Sequence, residues 1–272
     1  MLEIKNVSKS YQKKGWFGVK KDIQAVKNVN VKLKEGICLA LVGESGSGKT
    51  TLGKLILGIE EPDAGEILFK AQNIHKADAS VKKQLRKELQ IVFQDCYSAV
   101  NPRMKIKDII AEPMQVHLSL SKEALQQKVE ELLVQVGLQR TDAAKYPHEL
   151  SGGQLQRVTI ARAISTDPSF IVLDESINSL DLLVQVSILK LLKTLQKTQN
   201  LTYLFITHDL HAVKLFADEV AVMEQGEIIE YVTDIKELSH MVHPTSRRLL
   251  DARLSIKRDV SIQDSRQKET VS

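Results

Sequence analysis

A chain of 272 residues is long enough for one large core or two modest ones, and its low aromatic and ordinary aliphatic content fits a soluble α/β protein better than a disordered or all-β one. The formal charge of +4 is spread along the chain with acidic residues interleaved, which argues against a concentrated nucleic-acid-binding face. No apolar run approaches the roughly 20 residues of a bilayer span, and Cys38 and Cys96 have neither metal-site nor disulfide-framework spacing, which fits a reducing cytosol.

The N-terminal MLEIKNVSKSY alternates apolar and polar residues as a strand does and lacks the basic and apolar regions of a signal peptide. Residues 2–11 and 25–33 read as strands separated by a polar, Lys-rich insert, QKKGWFGVKKDIQ. ICLALVG follows, a continuous apolar run typical of a strand buried on both faces, and it leads into a glycine-rich loop and the helical pattern KTTLGKLILG. From about residue 100 to 165 the pattern is helical, with Ser121 placed to cap SKEALQQKVEELLVQVGL. A second buried strand at Phe170–Leu173, a long helix over about 182–197, a third strand TYLFIT, a short helix and a hairpin turning at Gln225-Gly226 complete the order. Alternating strands and helices predict a mainly parallel sheet. We therefore expect one domain over residues 1–250, with a helical subdomain over about 100–165, and a polar tail over 251–272.

Two stretches carry chemistry. GESGSGKT, Gly43 to Thr50, fits G-x-x-x-x-G-K-[ST] between a buried strand and a helix. Its glycines allow successive backbone N–H groups to converge on a phosphate, and the helix beginning at Lys49 adds the positive end of its dipole. The nucleotide-binding set is Gly43, Glu44, Ser45, Gly46, Ser47, Gly48, Lys49, Thr50 and Thr51, with Lys49 facing the β- and γ-phosphates and the Thr50 hydroxyl available to Mg²⁺. FIVLDESINSLD ends its apolar strand in Asp174 and Glu175: Asp174 is the second arm for the metal, and Glu175 is placed to polarise the attacking water.

LSGGQ, Leu150 to Gln154, together with these two stretches, resembles the nucleotide-binding subunit of an ATP-binding cassette (ABC) transporter over about residues 2–250. The resemblance implies an α/β fold of the P-loop NTPase kind, with an N-terminal antiparallel β subdomain and an inserted helical subdomain. It also implies ATP and Mg²⁺ as ligands and a head-to-tail dimer in which Ser151, Gly152, Gly153 and Gln154 of one subunit close over ATP held by the other. Carried over singly, Gln94 matches the glutamine that contacts Mg²⁺ and the attacking water, and His208 the switch histidine that orients the catalytic carboxylate. Asp181 matches the aspartate that meets the partner near its phosphate loop, and Tyr11 the aromatic that stacks on adenine, with Trp16 and Phe17 close behind.

VFQDCYSAVNPRM, YPHELSGGQLQR and HPTSRRLL resemble the ATPases of oligopeptide, dipeptide and nickel uptake systems, some of whose relatives import metal bound to a small chelator. That resemblance implies four kinds of partner or setting: a second, different ATPase chain, two transmembrane permeases, an extracellular solute-binding protein, and a peripheral position on the cytoplasmic face of the membrane. Cys96 stands where this subfamily usually has Pro, Thr245 where it usually has Tyr, and Ser176 where Pro usually follows the carboxylate pair, with Asn178 and Ser179 altering the approach to Asp181. Non-transport members that act on DNA or ribosomes carry a long coiled coil or two cassettes, neither of which this chain shows; a regulatory ATP-binding subunit with little hydrolysis is the other reading.

Overall fold

The structure, a computed structural model, describes residues 1–14, 20–93, 95–175 and 181–250. The N-terminal part forms an antiparallel sheet of β1 (Leu2–Lys14), β2 (Lys20–Leu33), β4 (Ala64–Phe69) and β5 (Gln72–Asn73), in the order β2-β1-β4-β5. Between these strands in the chain come β3 (Cys38–Val42), a member of the second sheet, and helix α1 (Lys49–Ile56). The polar insert does not separate β1 from β2 as expected. Gln12, Lys13 and Lys14 pair with Asp22, Lys21 and Lys20, so most of the insert continues one ladder. Gln12, Asp22, Ile23 and Gln24 are all exposed, so this part of the hairpin has no buried face to impose an apolar alternation. Trp16 and Phe17 lie outside the described residues.

The second sheet has six strands in the order β10-β9-β3-β8-β7-β6. Its further members are β6 (Leu89–Val92), β7 (Phe170–Asp174), β8 (Thr202–Ile206), β9 (Glu219–Glu224) and β10 (Glu227–Val232). All neighbouring pairs are parallel except the β9–β10 hairpin. Gln225 (φ 46°) and Gly226 (φ 90°) give that hairpin its two left-handed turn residues, a conformation that matches the strand twist. Every residue of β3 and β8 is buried, which is why β3 reads as an unbroken apolar run and β8 is apolar after Thr202.

Successive strand residues feed two cores. Leu39, Leu41, Val172, Leu204 and Ile206 join Ile4, Val7, Ile67 and Phe69 of the first sheet and Leu52, Leu55 and Ile56 of α1. On the opposite face, Ala40, Val42, Ile171, Leu173, Tyr203 and Phe205 join the helices that follow β6, where Phe216 packs on both Tyr203 and Phe205. Those helices are α3 (Ile106–His117), α4 (Lys122–Gln135), α5 (Gly152–Ile164), α6 (Leu182–Gln199) and α7 (Leu210–Phe216); α2 (Ala79–Glu88) precedes β6. Helices α3, α4 and α5 occupy the stretch read as helical, and Ile109, Met114, Leu132, Leu155 and Val158 extend the second core through them. Ser121 caps α4 by accepting from the Ala124 amide, each such cap contributing ~1 kcal/mol. Among the described residues no helix is long and apolar enough to cross a membrane.

Candidate functional site

Strand register assembles the site. Leu41 of β3 pairs with Ile206 of β8, and Ile206 pairs with Asp174 of β7, so three strands end level with one another. The loop from Gly43 leaves β3 there, Asp174 and Glu175 end β7, and His208 follows β8. Parallel sheets place ligands at this carboxyl edge, where strand-end side chains and helix N-termini meet.

The loop is shaped by close backbone contact. Gly48 has φ +109°, and a Cβ there would lie 2.1 Å from the Ala25 carbonyl oxygen; one on Gly43 would lie 2.1 Å from that of Met223. Helix α1 begins at Lys49 with no side-chain cap and no acidic residue in its first turn, whereas Asp78, Ser121, Ser151, Asp181 and Asp209 cap other helices. The first-turn N–H groups of α1 are thus left to an anion. Glu44, Ser45, Gly46 and Thr50 are exposed, and Ser47 is buried. Lys49 is 5 % exposed, and its Nζ donates to the carbonyls of Gly43 and Glu44, both at 2.8 Å. Burial pulls the Lys49 ammonium down from its usual range, with Glu175 and Asp174 acting against that.

Thr50 Oγ1 donates to Asp174 Oδ1 at 3.4 Å. Burial raises the Asp174 carboxyl, and Glu175 adds to the rise, while the Thr50 hydroxyl, Lys49 and Lys54 oppose it. A hydroxyl and a carboxylate this close form a hard oxygen donor pair that fits Mg²⁺ completed by phosphate oxygens and water. Glu175 is non-glycine with φ 44°, its amide donating to the Ile206 carbonyl at 2.9 Å. This is a left-handed conformation that residues with a Cβ adopt infrequently. His208 Nδ1 is 3.5 Å from Glu175 Oε1. Asp209 caps α7 and accepts from Gln185 Nε2 at 3.0 Å, which ties the segment after His208 to α6.

Other expected positions are spread around this edge. Tyr11 is 36 % exposed, and its hydroxyl donates to Glu60. Burial and Glu60 raise the Tyr11 pKa, while Thr51 and Lys54, both of α1, act against them. Ser151 caps α5: its Oγ accepts from the Gln154 amide (3.3 Å), and its own amide donates to Gln154 Oε1 (2.9 Å). Gly152 and Gly153 form the first turn, and the buried Cys96 thiol donates to the Gly152 carbonyl at 3.9 Å. Arg162 ties α5 to the Ala99 carbonyl (3.0 Å) and Glu112 of α3 (2.8 Å). Asp181 caps α6 by accepting from the Val184 amide, and it is exposed. The structure does not bring Ser151 or Asp181 into contact with the phosphate loop of the same chain through any described hydrogen bond. Gln94, Ser176, Asn178 and Ser179 lie outside the described residues. Sequence reasoning missed Glu60, Gln185 and Asp209, whose partners are distant in sequence or carry no motif.

An uncapped helix behind a glycine loop, beside a strand-end carboxylate pair, defines a nucleoside triphosphatase of the P-loop class. The family model described as ABC transporter matches residues 26–178. The oligopeptide transport ATP-binding protein OppF of Streptococcus mutans is 44 % identical over 93 % of this chain and 81 % of its own length. The dipeptide transport ATP-binding protein DppF of Escherichia coli is 40 % identical over 93 % of this chain and 76 % of its own length. A dimeric post-hydrolysis structure of the ATP-binding cassette MJ0796, bound to ADP and Pi, superposes with a TM-score of 0.76 at 30 % identity, over 86 % of this chain and 98 % of that one. CbiO1 of Clostridium perfringens gives a TM-score of 0.75 at 29 % identity, over 96 % and 98 %. The chain belongs to the ABC transporter family, as one of its ATP-hydrolysing cassettes.

Proposed function

We propose that this chain is the ATPase subunit of an importer of oligopeptides or dipeptides. Peptide cargo is supported by the names of relatives that share about two residues in five with it. Nickel or a metal–chelator complex as cargo rests on the subfamily resemblance alone. The partners are a second ATPase chain of related sequence, two transmembrane permeases and an extracellular solute-binding protein, and the chain sits peripherally at the cytoplasmic face of the membrane.

The observation that carries the catalytic reading is the level ending of β3, β7 and β8, which gathers Lys49, Thr50, Asp174, Glu175 and His208 at one edge. In this reading Tyr11 stacks on adenine, residues 43–51 hold the phosphates with their backbone N–H groups, and the Lys49 ammonium exchanges loop carbonyls for phosphate oxygens. Thr50 and Asp174, with Gln94, would hold Mg²⁺, and the ion would supply charge neutralisation to the phosphates. Glu175 accepts a proton from the attacking water, and His208 keeps that carboxylate oriented. Ser151 and Gly153 of one subunit close on ATP held by the other, and Asp181 meets the partner there. Closure passes through α3–α5 to the permeases, and reopening follows phosphate release.

The test is Glu175→Gln in the assembled transporter. ATP affinity is expected to stay within about threefold of the parent while turnover falls by at least about 100-fold. Near-normal turnover would remove Glu175 from the role of base, and unaltered transport without hydrolysis would favour the regulatory reading.

A further inference from the structure

The phosphate loop leans on the β9–β10 turn at several points. The Gly226 amide donates to the Ser47 carbonyl (2.9 Å), and the Gly226 carbonyl accepts from the Lys27 amide of β2 (2.8 Å). Met223 lies against the loop as well, its carbonyl oxygen closing on Gly43 and its Cε standing 2.8 Å from where a Cβ of Gly48 would be. Residues 223–226 are therefore a wall on which the loop is moulded.

That wall is gripped by the segment after Met241. Thr245 Oγ1 donates to Glu224 Oε1 at 2.7 Å, and Arg248 Nη2 donates to Thr245 Oγ1 at 2.9 Å while lying 3.5 Å from Glu224 Oε1. The Val242 amide donates to Glu230 Oε1 of β10 at 2.8 Å, so both strands of the hairpin are held. Thr245 is only 2 % exposed. A hydroxyl so buried is costly without a partner, and a charged acceptor satisfies it strongly. Glu224 is the residue immediately before the turn, so its placement sets where Gln225 and Gly226 lie.

We propose that Thr245 and Glu224 are positioning residues for nucleotide binding: the C-terminal segment fixes Glu224, Glu224 fixes the turn, and the turn fixes Ser47 and the phosphate loop. The inference rests on the reading that residues 43–51 hold ATP. The full chain tests it, with ATP affinity measured calorimetrically in Mg²⁺ and backbone hydrogen exchange followed by mass spectrometry. Thr245→Val is expected to weaken ATP binding about three- to tenfold, the scale of one lost charge-assisted hydrogen bond felt indirectly. Exchange should accelerate in peptides covering 43–50 and 223–228 while those covering β7 and β8 keep the parent rate, and Thr245→Ser should restore both readouts. Glu224→Ala removes the same contact from its other side and serves if Thr245→Val does not fold. Unchanged affinity and loop exchange, or acceleration spread evenly over the chain, would overturn the inference. Lys49→Ala separates the two levels: if it abolishes ATP binding while Thr245→Val changes nothing, only the positioning role falls. If Lys49→Ala binds ATP normally, the reading beneath it falls too.

Discussion

Asp174 and Lys49 are charges that the fold draws out of water: burial raises the carboxyl and lowers the ammonium, so each is held away from its preferred ionised state. For Asp174 the consequence has a definite sign. Between the ordinary carboxylate range and its raised folded value, the folded chain holds a proton that the unfolded chain has released, so this group's contribution to stability falls as pH rises through that window and stays lower above it. Asp174→Asn removes the ionisation, and we expect the nucleotide-free variant to melt about 1–4 °C above the parent at neutral pH, a modest shift because solvent screens part of the effect. The gain should shrink toward zero as pH falls through the window. A thermal shift series in the absence of nucleotide checks this; a variant that melts lower at pH 7 would mean that the Thr50 contact outweighs desolvation. Loss of Mg²⁺-dependent ATP binding in the same variant would show stability being exchanged for function at one position.

At the level of elements, α5 poses the sharpest question, because Ser151 and Gln154 complete a capping box that would exist without any nucleotide. A substitution that keeps the cap and changes the charge separates the two roles. Aspartate caps as well as serine, so Ser151→Asp should melt within about 2 °C of the parent, yet it would set a carboxylate against the partner's phosphates and cut transporter ATPase activity at least about tenfold. Undiminished activity would leave Ser151 as a cap alone. This element was legible because its motif and helical periodicity coincide, and α1 because a glycine-rich loop leads into it; the cap that Asp181 gives α6 emerged only in the structure. The stretch from β4 to β6 was not. Leu89 is at once the C-cap of α2 and the first residue of β6, so no glycine or proline marks the change of period. The hairpin extension of β1 and β2 was hidden because its exposed residues carry no apolar alternation, and the left-handed backbone of Glu175 because nothing in a Glu side chain announces it.

For the whole molecule, the level strand ends make one half of a site, and the proposed closure requires the other half from a second cassette. The surface beside Asp181 has the character of such a meeting place: Leu182 and Leu183, the first two residues of α6, are 71 % and 84 % exposed in the single chain. Two adjacent leucines turned to solvent at a helix start contribute nothing to the chain's own core, and burying them would favour association by roughly 1.5–3 kcal/mol each. Leu183→Asp should therefore be nearly silent in the isolated chain, leaving melting temperature within about 2 °C and ATP affinity within about twofold, since exposed positions rarely matter to folding. Its effect should appear when cassettes pair. Placed together with Glu175→Gln to suppress turnover, and mixed with the partner ATPase and ATP, the parent surface should give a species of doubled mass in light scattering, and the Leu183→Asp surface should not. Pairing that survives the aspartate would put the start of α6 outside the contact and require the second half-site to approach from another direction.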